Sequence, residues 1–233
     1  MQSPQLLDNP IWHSLTTEHR SFALGDALAL RYLPDIGPLS GIADQSPSSY
    51  AALRKLVEPG GAIVLFLADP PRIPAGWQLI RYGMLHQMLY TGAPEPAPAL
   101  PEPGLTLRPL AEPDVPAMLD LAHLTQPGPF RTRTFQLGNF YGVFQGDKLL
   151  AMAGQRLSLP EHAEVSAVCT HPDAQGRGLA RLLLTTVMAD ILQQGKTPFL
   201  HVLPDNDRAI RVYQDLGFAL RRAFHLTVLQ CQP

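Results

Sequence analysis

Apolar and polar residues alternate through Glu164-Val165-Ser166-Ala167-Val168-Cys169-Thr170, with Val165, Ala167 and Cys169 on one side, and this period of two predicts a strand. His171-Pro172-Asp173 ends it with turn-forming residues. The period then changes. Ala180, Leu183, Leu184, Val187, Met188 and Ile191 recur at three and four residues, the stripe of a helix that Gly195 can cap at its C-terminus. Thr197 to Leu203 reads as a short strand. Asn206 to Phe218 reads as a second helix, with Asp205 or Asn206 as N-cap and Gly217 as C-cap. Ala219 to Ala223 and His225 to Leu229 follow as closing strands.

Upstream, Leu105 to Arg108 alternates as a strand, and Glu112-Pro113-Asp114 opens a helix through Met118, Leu119 and Leu121. Tyr141 to Phe144 and Leu149 to Arg156 flank Gln145-Gly146-Asp147-Lys148 as a hairpin. Nearer the start, Pro10 to Leu15 suits a helix, while Phe22 to Tyr32 fits either a hairpin turning at Gly25-Asp26 or a helix. Pro47 to Val57 predicts a helix, with Ser46 as N-cap and Tyr50, Leu53 and Leu56 on one face. Ala62 to Leu67 is a buried strand by its length and branched content, and Trp77 to Tyr82 and Leu85 to Tyr90 add two more. Between these halves, Thr91 to Gly104 is crowded with proline and can neither continue a helix nor pair as a central strand. The expected division is therefore an α/β domain over 1–92 without a catalytic motif, a linker over 93–104 and a second domain over 105–233.

Composition narrows the classes. A chain of 233 residues with mean hydropathy near zero can bury a substantial core. A net charge of −2 supplies no long-range attraction to nucleic acid or an anionic membrane, so neither is expected as a partner. No run of residues reaches spanning length. The two cysteines, Cys169 and Cys231, make neither a metal-ligand spacing nor a disulfide framework, which fits a reducing cytoplasm and no metal.

The junction Gln175-Gly176-Arg177-Gly178-Leu179-Ala180, between strand and helix, carries the chemistry. The first turn of a helix has N–H groups without partners and the positive end of the macrodipole, and two residues without Cβ let a phosphate chain lie against the main chain. Arg177 adds a formal charge. A P-loop would need Gly-x-x-x-x-Gly-Lys-Ser/Thr, and a dinucleotide fingerprint would need a small residue at Arg181; neither condition is met. What remains, Gln-x-x-Gly-x-Ala after a strand ending x-Thr-x-Pro, resembles the coenzyme A pyrophosphate loop of the GNAT superfamily of N-acetyltransferases. The second block of that superfamily is similar to Asn206, Ala209, Tyr213, Gly217 and Phe218 in order and spacing. The resemblance covers about residues 104 to 230. The two-part build also resembles the glycine N-acyltransferase-like branch, whose first half is a diverged copy of the second.

The resemblance implies a GNAT-type α/β fold with a mixed, mostly antiparallel sheet, and acetyl-CoA as co-substrate. It places backbone N–H groups of Val168, Cys169 and Thr170 toward the thioester and pantetheine. Gln175, Gly176, Arg177, Gly178, Leu179 and Ala180 would hold the pyrophosphate, with Asn206 and Ala209 beside the cofactor. Tyr213 becomes the candidate acid for the departing thiolate. Two residues compete for the base, Glu164 and His201, alongside a water-mediated base or none, because a strand-start Glu also suits a solvated end and a lone strand His also suits a satisfied structural site. Phe130, Arg131, Arg133 and Thr134 form the acceptor-site expectation, two arginines being suited to a carboxylate, although a solvated loop reads equally well. The acceptor is expected to be a small-molecule amine, an amino acid or a peptide. The leading function is an N-acetyltransferase working by direct attack; the alternatives are an N-acyltransferase with other acyl-CoA donors and a non-catalytic CoA-binding regulatory protein.

Overall fold

The computed structural model describes residues 6–93 and 99–232. In chain order the elements are α1 (Pro10–Thr16), β1 (Ala23–Gly25), β2 (Ala29–Tyr32), β3 (Ser40–Ile42), α2 (Pro47–Arg54), β4 (Ala62–Leu67), β5 (Trp77–Tyr90), β6 (Leu105–Pro109), α3 (Val115–Thr125), β7 (Phe140–Gln145), β8 (Lys148–Ser158), β9 (His162–Thr170), α4 (Leu179–Gln193), β10 (Thr197–Val202), α5 (Asp207–Asp215) and β11 (Phe218–Cys231). Local chemistry sets many of the ends. Ser46 Oγ accepts the Ser49 N–H at the start of α2, and Asn206 Oδ1 accepts the Ala209 N–H at the start of α5. Gly195 and Gly217 turn left-handed just past α4 and α5, φ 74° and 89°. The ambiguous stretch from Phe22 to Tyr32 is a hairpin, β1 against β2. Two expectations of paired short strands are corrected: residues 77–90 form one strand, as do residues 218–231, because the two cross-link each other along most of their length and bulge rather than break.

One sheet of eight strands dominates, ordered β4-β11-β5-β10-β9-β8-β7-β6, and a smaller sheet β1-β2-β3 stands beside β4. Within the large sheet β9 and β10 run parallel and the other neighbours are antiparallel. The strand content overturns the division at 93–104. β5 lies hydrogen-bonded between β10 and β11, and β4 extends the far edge, so strands from before and after the Pro-rich stretch build a single sheet. The longest strands of the N-terminal part complete this sheet rather than building one of their own, which gives no support to the diverged first half of the glycine N-acyltransferase-like branch. The part of the expected linker from Pro94 to Pro98 lies outside the described residues.

Helices cover both faces. On one, α4 packs Leu179, Leu183, Val187 and Ile191 against Val143, Ala151, Ala153, Val165, Leu200 and Val202, and α5 adds Ala209, Ile210, Val212 and Tyr213 to the same cluster. On the other, α3 packs Met118, Leu121 and Ala122 over Phe140, Phe144, Met152 and Cys169, while α1 places Ile11 and Leu15 beside Phe66, Leu157, Phe199 and Phe224. Burying such stripes on both sides of one sheet supplies the main stabilisation of the fold, at roughly 25 cal/mol per Å² of apolar surface removed from water.

Candidate functional site

β9 and β10 pair only over Thr197–His162, Pro198–Ala163 and Phe199–Glu164, and then diverge. Beyond that point β9 bonds only to β8, and β10 only to β5. The sheet thus opens as a V in its middle, leaving main-chain polar groups of Val165 to Thr170 without a strand on that side. Such groups need a partner when shielded from water, so the V suits an extended ligand with amide groups. Its geometry has a local cause. The β8–β9 register slips between Gly154–Ser166 and Met152–Cys169, and Ala167 sits there at φ 53°, the left-handed region. This bulge corrects the simple alternation of the strand: Val165 packs toward α4, but Cys169 packs toward α3. Cys169 is buried, its thiol pushed up to about 11 by that burial, so it carries no thiolate character.

At the wide end of the V the chain turns into α4. Gly176 and Gly178 are both left-handed, φ 78° and 77°, and a Cβ on either would meet nothing within 4 Å. Open space therefore lies directly in front of the loop. Among the described residues, the N–H groups of Gly176, Arg177 and Gly178 donate to no acceptor, while Gln175 N–H is spent on Pro172 O. Unpaired donors, a helix start at Leu179 and free space together fit a phosphate group. The Arg177 guanidinium pairs with Glu102 just before β6, so it is held at the loop rather than free in solvent. Val168, Ala209 and Tyr213 pack against one apolar cluster on the α4 face. Tyr213 stands edge-on to Phe218, its hydroxyl bonded to none of the described residues, and burial pushes its pKa up to about 12.

Both candidates for the base lie on the opposite face. Glu164 is wholly buried, and its carboxylate accepts from Arg156 Nε at 2.8 Å, Arg156 Nη2 at 2.6 Å and His201 Nδ1 at 2.7 Å. Burial alone would raise its pKa; the Arg156 charge and these hydrogen bonds hold it down to about 2. The solvated strand end is thereby excluded, and so is a carboxylate with useful basicity near neutrality. His201 is equally enclosed, among Phe66, Phe199 and Phe224. Its tautomer follows from its neighbours. Arg221 Nη1 donates to Gln87 Oε1 at 2.8 Å, which fixes the Gln87 amide so that its nitrogen donates to Leu7 O at 3.0 Å and faces His201 Nε2 at 3.2 Å. Nε2 must then be the acceptor and Nδ1–H the donor to Glu164. His201 has no free lone pair for an amine.

The acceptor-loop expectation divides. Phe130 and Thr134 line a crevice, with room for about one water-sized sphere (~10 Å³), together with Gly128, Phe140, Ser166 and Ala167. Arg133 instead pairs with Asp35 at 3.0 Å and Thr134 Oγ1 donates to Ile36 O, stitching this loop to the N-terminal part. Arg131 is exposed and does not line the crevice. The arginine that does line it is Arg156, which in sequence is only the end of a hairpin strand. Its only sequence signal was a charge closing the apolar run Leu149 to Gly154.

Comparison with known proteins agrees with this geometry. The family model described as FR47-like protein matches residues 140–226. The [ribosomal protein bS18]-alanine N-acetyltransferase of Salmonella typhimurium is 30% identical over 131 residues, 52% of this chain and 88% of that protein. Mycothiol acetyltransferase of Streptomyces scabiei is 35% identical over 86 residues, and there the match spans 36% of this chain but only 28% of the relative. A crystal structure assigned to the GNAT family of acetyltransferases, from Novosphingobium aromaticivorans, superposes with a TM-score of 0.86 at 38% identity, covering 97% of this chain and 99% of that one. With its opened sheet and two of these relatives, at 30% and 38% identity, matched along most of their own length, the chain belongs to the GNAT family of acetyltransferases.

Proposed function

We propose that the protein is an acetyl-CoA-dependent N-acetyltransferase that passes the acetyl group directly to a primary amine. The observation carrying this reading is the V between β9 and β10, ending at the unpaired N–H groups of Gly176 to Gly178. A long ligand with a diphosphate at one end and amides along its arm fits that shape, with Gln175 to Ala180 around the diphosphate and Val168 to Thr170 along the arm. Asn206 caps α5, and so holds Tyr213, two turns on, against the same apolar cluster as Val168. The chain then contributes position and hydrogen bonding rather than a covalent intermediate. Cys169, un-ionised and buried, takes no part as a nucleophile.

The proton transfers follow from the environments. Neither Glu164 nor His201 is available, so the amine enters already neutral or yields its proton to water in the crevice; an α-amine with a reference pKa of about 7.7–8.0 is partly neutral near pH 7.5. Tyr213, at about 12, holds its proton more tightly than a thiol of about 8.5, so it stabilises the leaving sulfur by donating a hydrogen bond rather than by surrendering the proton. The test is native mass spectrometry with acetyl-CoA, followed by thiol release across a panel of amines. Retained CoA and amine-dependent release are the expected results. CoA binding without turnover of any amine would favour the regulatory CoA-binding reading, and release only with longer acyl donors would favour the other N-acyltransferase.

A further inference from the structure

We propose that Arg156 selects the acceptor by offering Nη1 as a fixed donor to an uncharged carbonyl oxygen next to the reacting amine, as in a peptide N-terminus or an amino-acid amide. This rests on the amine-acetylation reading. Nε and Nη2 of Arg156 are both committed to Glu164, at 2.8 and 2.6 Å. Nη1 has no acceptor among the described residues, and the Arg156 side chain keeps 13% of its surface exposed. It faces the loop that walls the crevice, standing 4.0 Å from where a Cβ of Gly128 would be. Ser166 and Ala167 also line the crevice, and they belong to the bulge where β9 parts from β10. The free donor therefore sits on the acceptor side of the opening into which the thioester would project.

Three features make this donor selective. The bidentate clamp of Glu164, itself locked by His201, and the Phe66 ring 5.6 Å from the guanidinium carbon fix the fork, so binding costs little further side-chain entropy. Glu164 cancels the Arg156 charge, while the nearby Arg133 is already paired with Asp35. A free carboxylate would thus bring an uncompensated negative charge into a largely buried site, whereas a neutral carbonyl satisfies Nη1 without one. A simple alkylamine would instead displace water from Nη1 and offer no acceptor in return.

The test measures binding of acetylated products to the CoA-loaded protein by calorimetry, using N-acetylalanine methylamide, N-isopropylacetamide and N-acetylalanine. The methylamide is expected to bind about tenfold tighter than N-isopropylacetamide, which lacks the second carbonyl, and tighter than the carboxylate. Arg156→Lys should reduce that preference to within about threefold while CoA affinity stays unchanged. A double variant, Arg156→Met with Glu164→Gln, removes both buried charges and reads out the same loss should the lysine variant fail to fold. Equal affinity for the first two ligands, tightest binding of the carboxylate, or an equal loss for all three in the variants would overturn the proposal. Discrimination among the products with no acetyl transfer to any amine would uphold Arg156 as the selector and sink the catalytic reading instead.

Discussion

On the α3 side of the sheet, Glu164, Arg156, His201, Gln87 and Arg221 form a polar chain in which nearly every donor meets an acceptor, and Asp8 closes it at the far end by accepting from Arg221. On the α4 side, the N–H groups of Gly176, Arg177 and Gly178 face open space. Charged residues in a cleft usually attract a functional reading first, yet here the charged cluster is satisfied internally and the uncharged main chain is not. Buried groups that already have partners hold the fold; donors that face open space without a protein partner are free to meet a ligand. Arg156 belongs to both kinds, with two nitrogens on Glu164 and one left over.

The largest effect that could break this contrast is on the closed cluster. Glu164→Ala leaves Arg156 buried without its partner and should cost about 3–5 kcal/mol in urea denaturation; a loss below about 1 kcal/mol would mean that the cluster is not structural. Acid probes the same side more gently. Burial pushes His19, which donates from Nε2 to Leu137 O, down to about 4 from an ordinary 6.5. Between those values the unfolded chain binds more protons than the folded one, so stability present above pH 6.5 is lost as pH falls toward 4. At about 1.4 kcal/mol per unit this amounts to about 3 kcal/mol. Glu164 adds a second decline from its ordinary 4.5 toward about 2. Denaturation midpoints that stay flat from pH 7 to 4.5 would contradict the His19 environment.

Smaller effects sharpen the open side. Gly178→Glu places a negative side chain in the vacant space and strains φ 77°; acetyl-CoA affinity should fall by about a hundredfold, roughly 2.7 kcal/mol, against a modest change in thermal midpoint. Unchanged affinity would remove the phosphate assignment. Tyr213→Phe keeps the ring packing on Phe218 and loses only the hydroxyl, so kcat should drop about tenfold with acetyl-CoA affinity intact. Because burial pushes Tyr213 up to about 12, its own ionisation should leave no step in the wild-type rate between pH 6 and 9. Least of all, Ala167→Gly relieves a left-handed alanine and should change stability by less than about 1 kcal/mol, in the stabilising direction.

The family and the glycine turn between β9 and α4 were legible because their signals are local. The change from a period of two to one of 3.6, with glycines at the junction, needs only neighbours in sequence, and Asn206, Ala209 and Tyr213 keep their spacing on one helix. The roles of Glu164 and His201 were not legible in this way. Their partners come from β5 and β8, brought alongside by strand pairing across 114 residues for Gln87 and His201. The proline-rich stretch misled for a related reason: it breaks secondary structure locally but says nothing about whether strands on either side share a sheet.

What the chain's order of residues determined by itself was where elements start and stop, and which backbone segment could receive a phosphate, since both depend on torsional preferences and on side chains within a turn of one another. What only the tertiary structure decided was whether each ionisable group is free or spent. A carboxylate's basicity and a histidine's tautomer depend on which charges stand within a few ångströms and on how much water is excluded, and those conditions exist only once distant strands have paired.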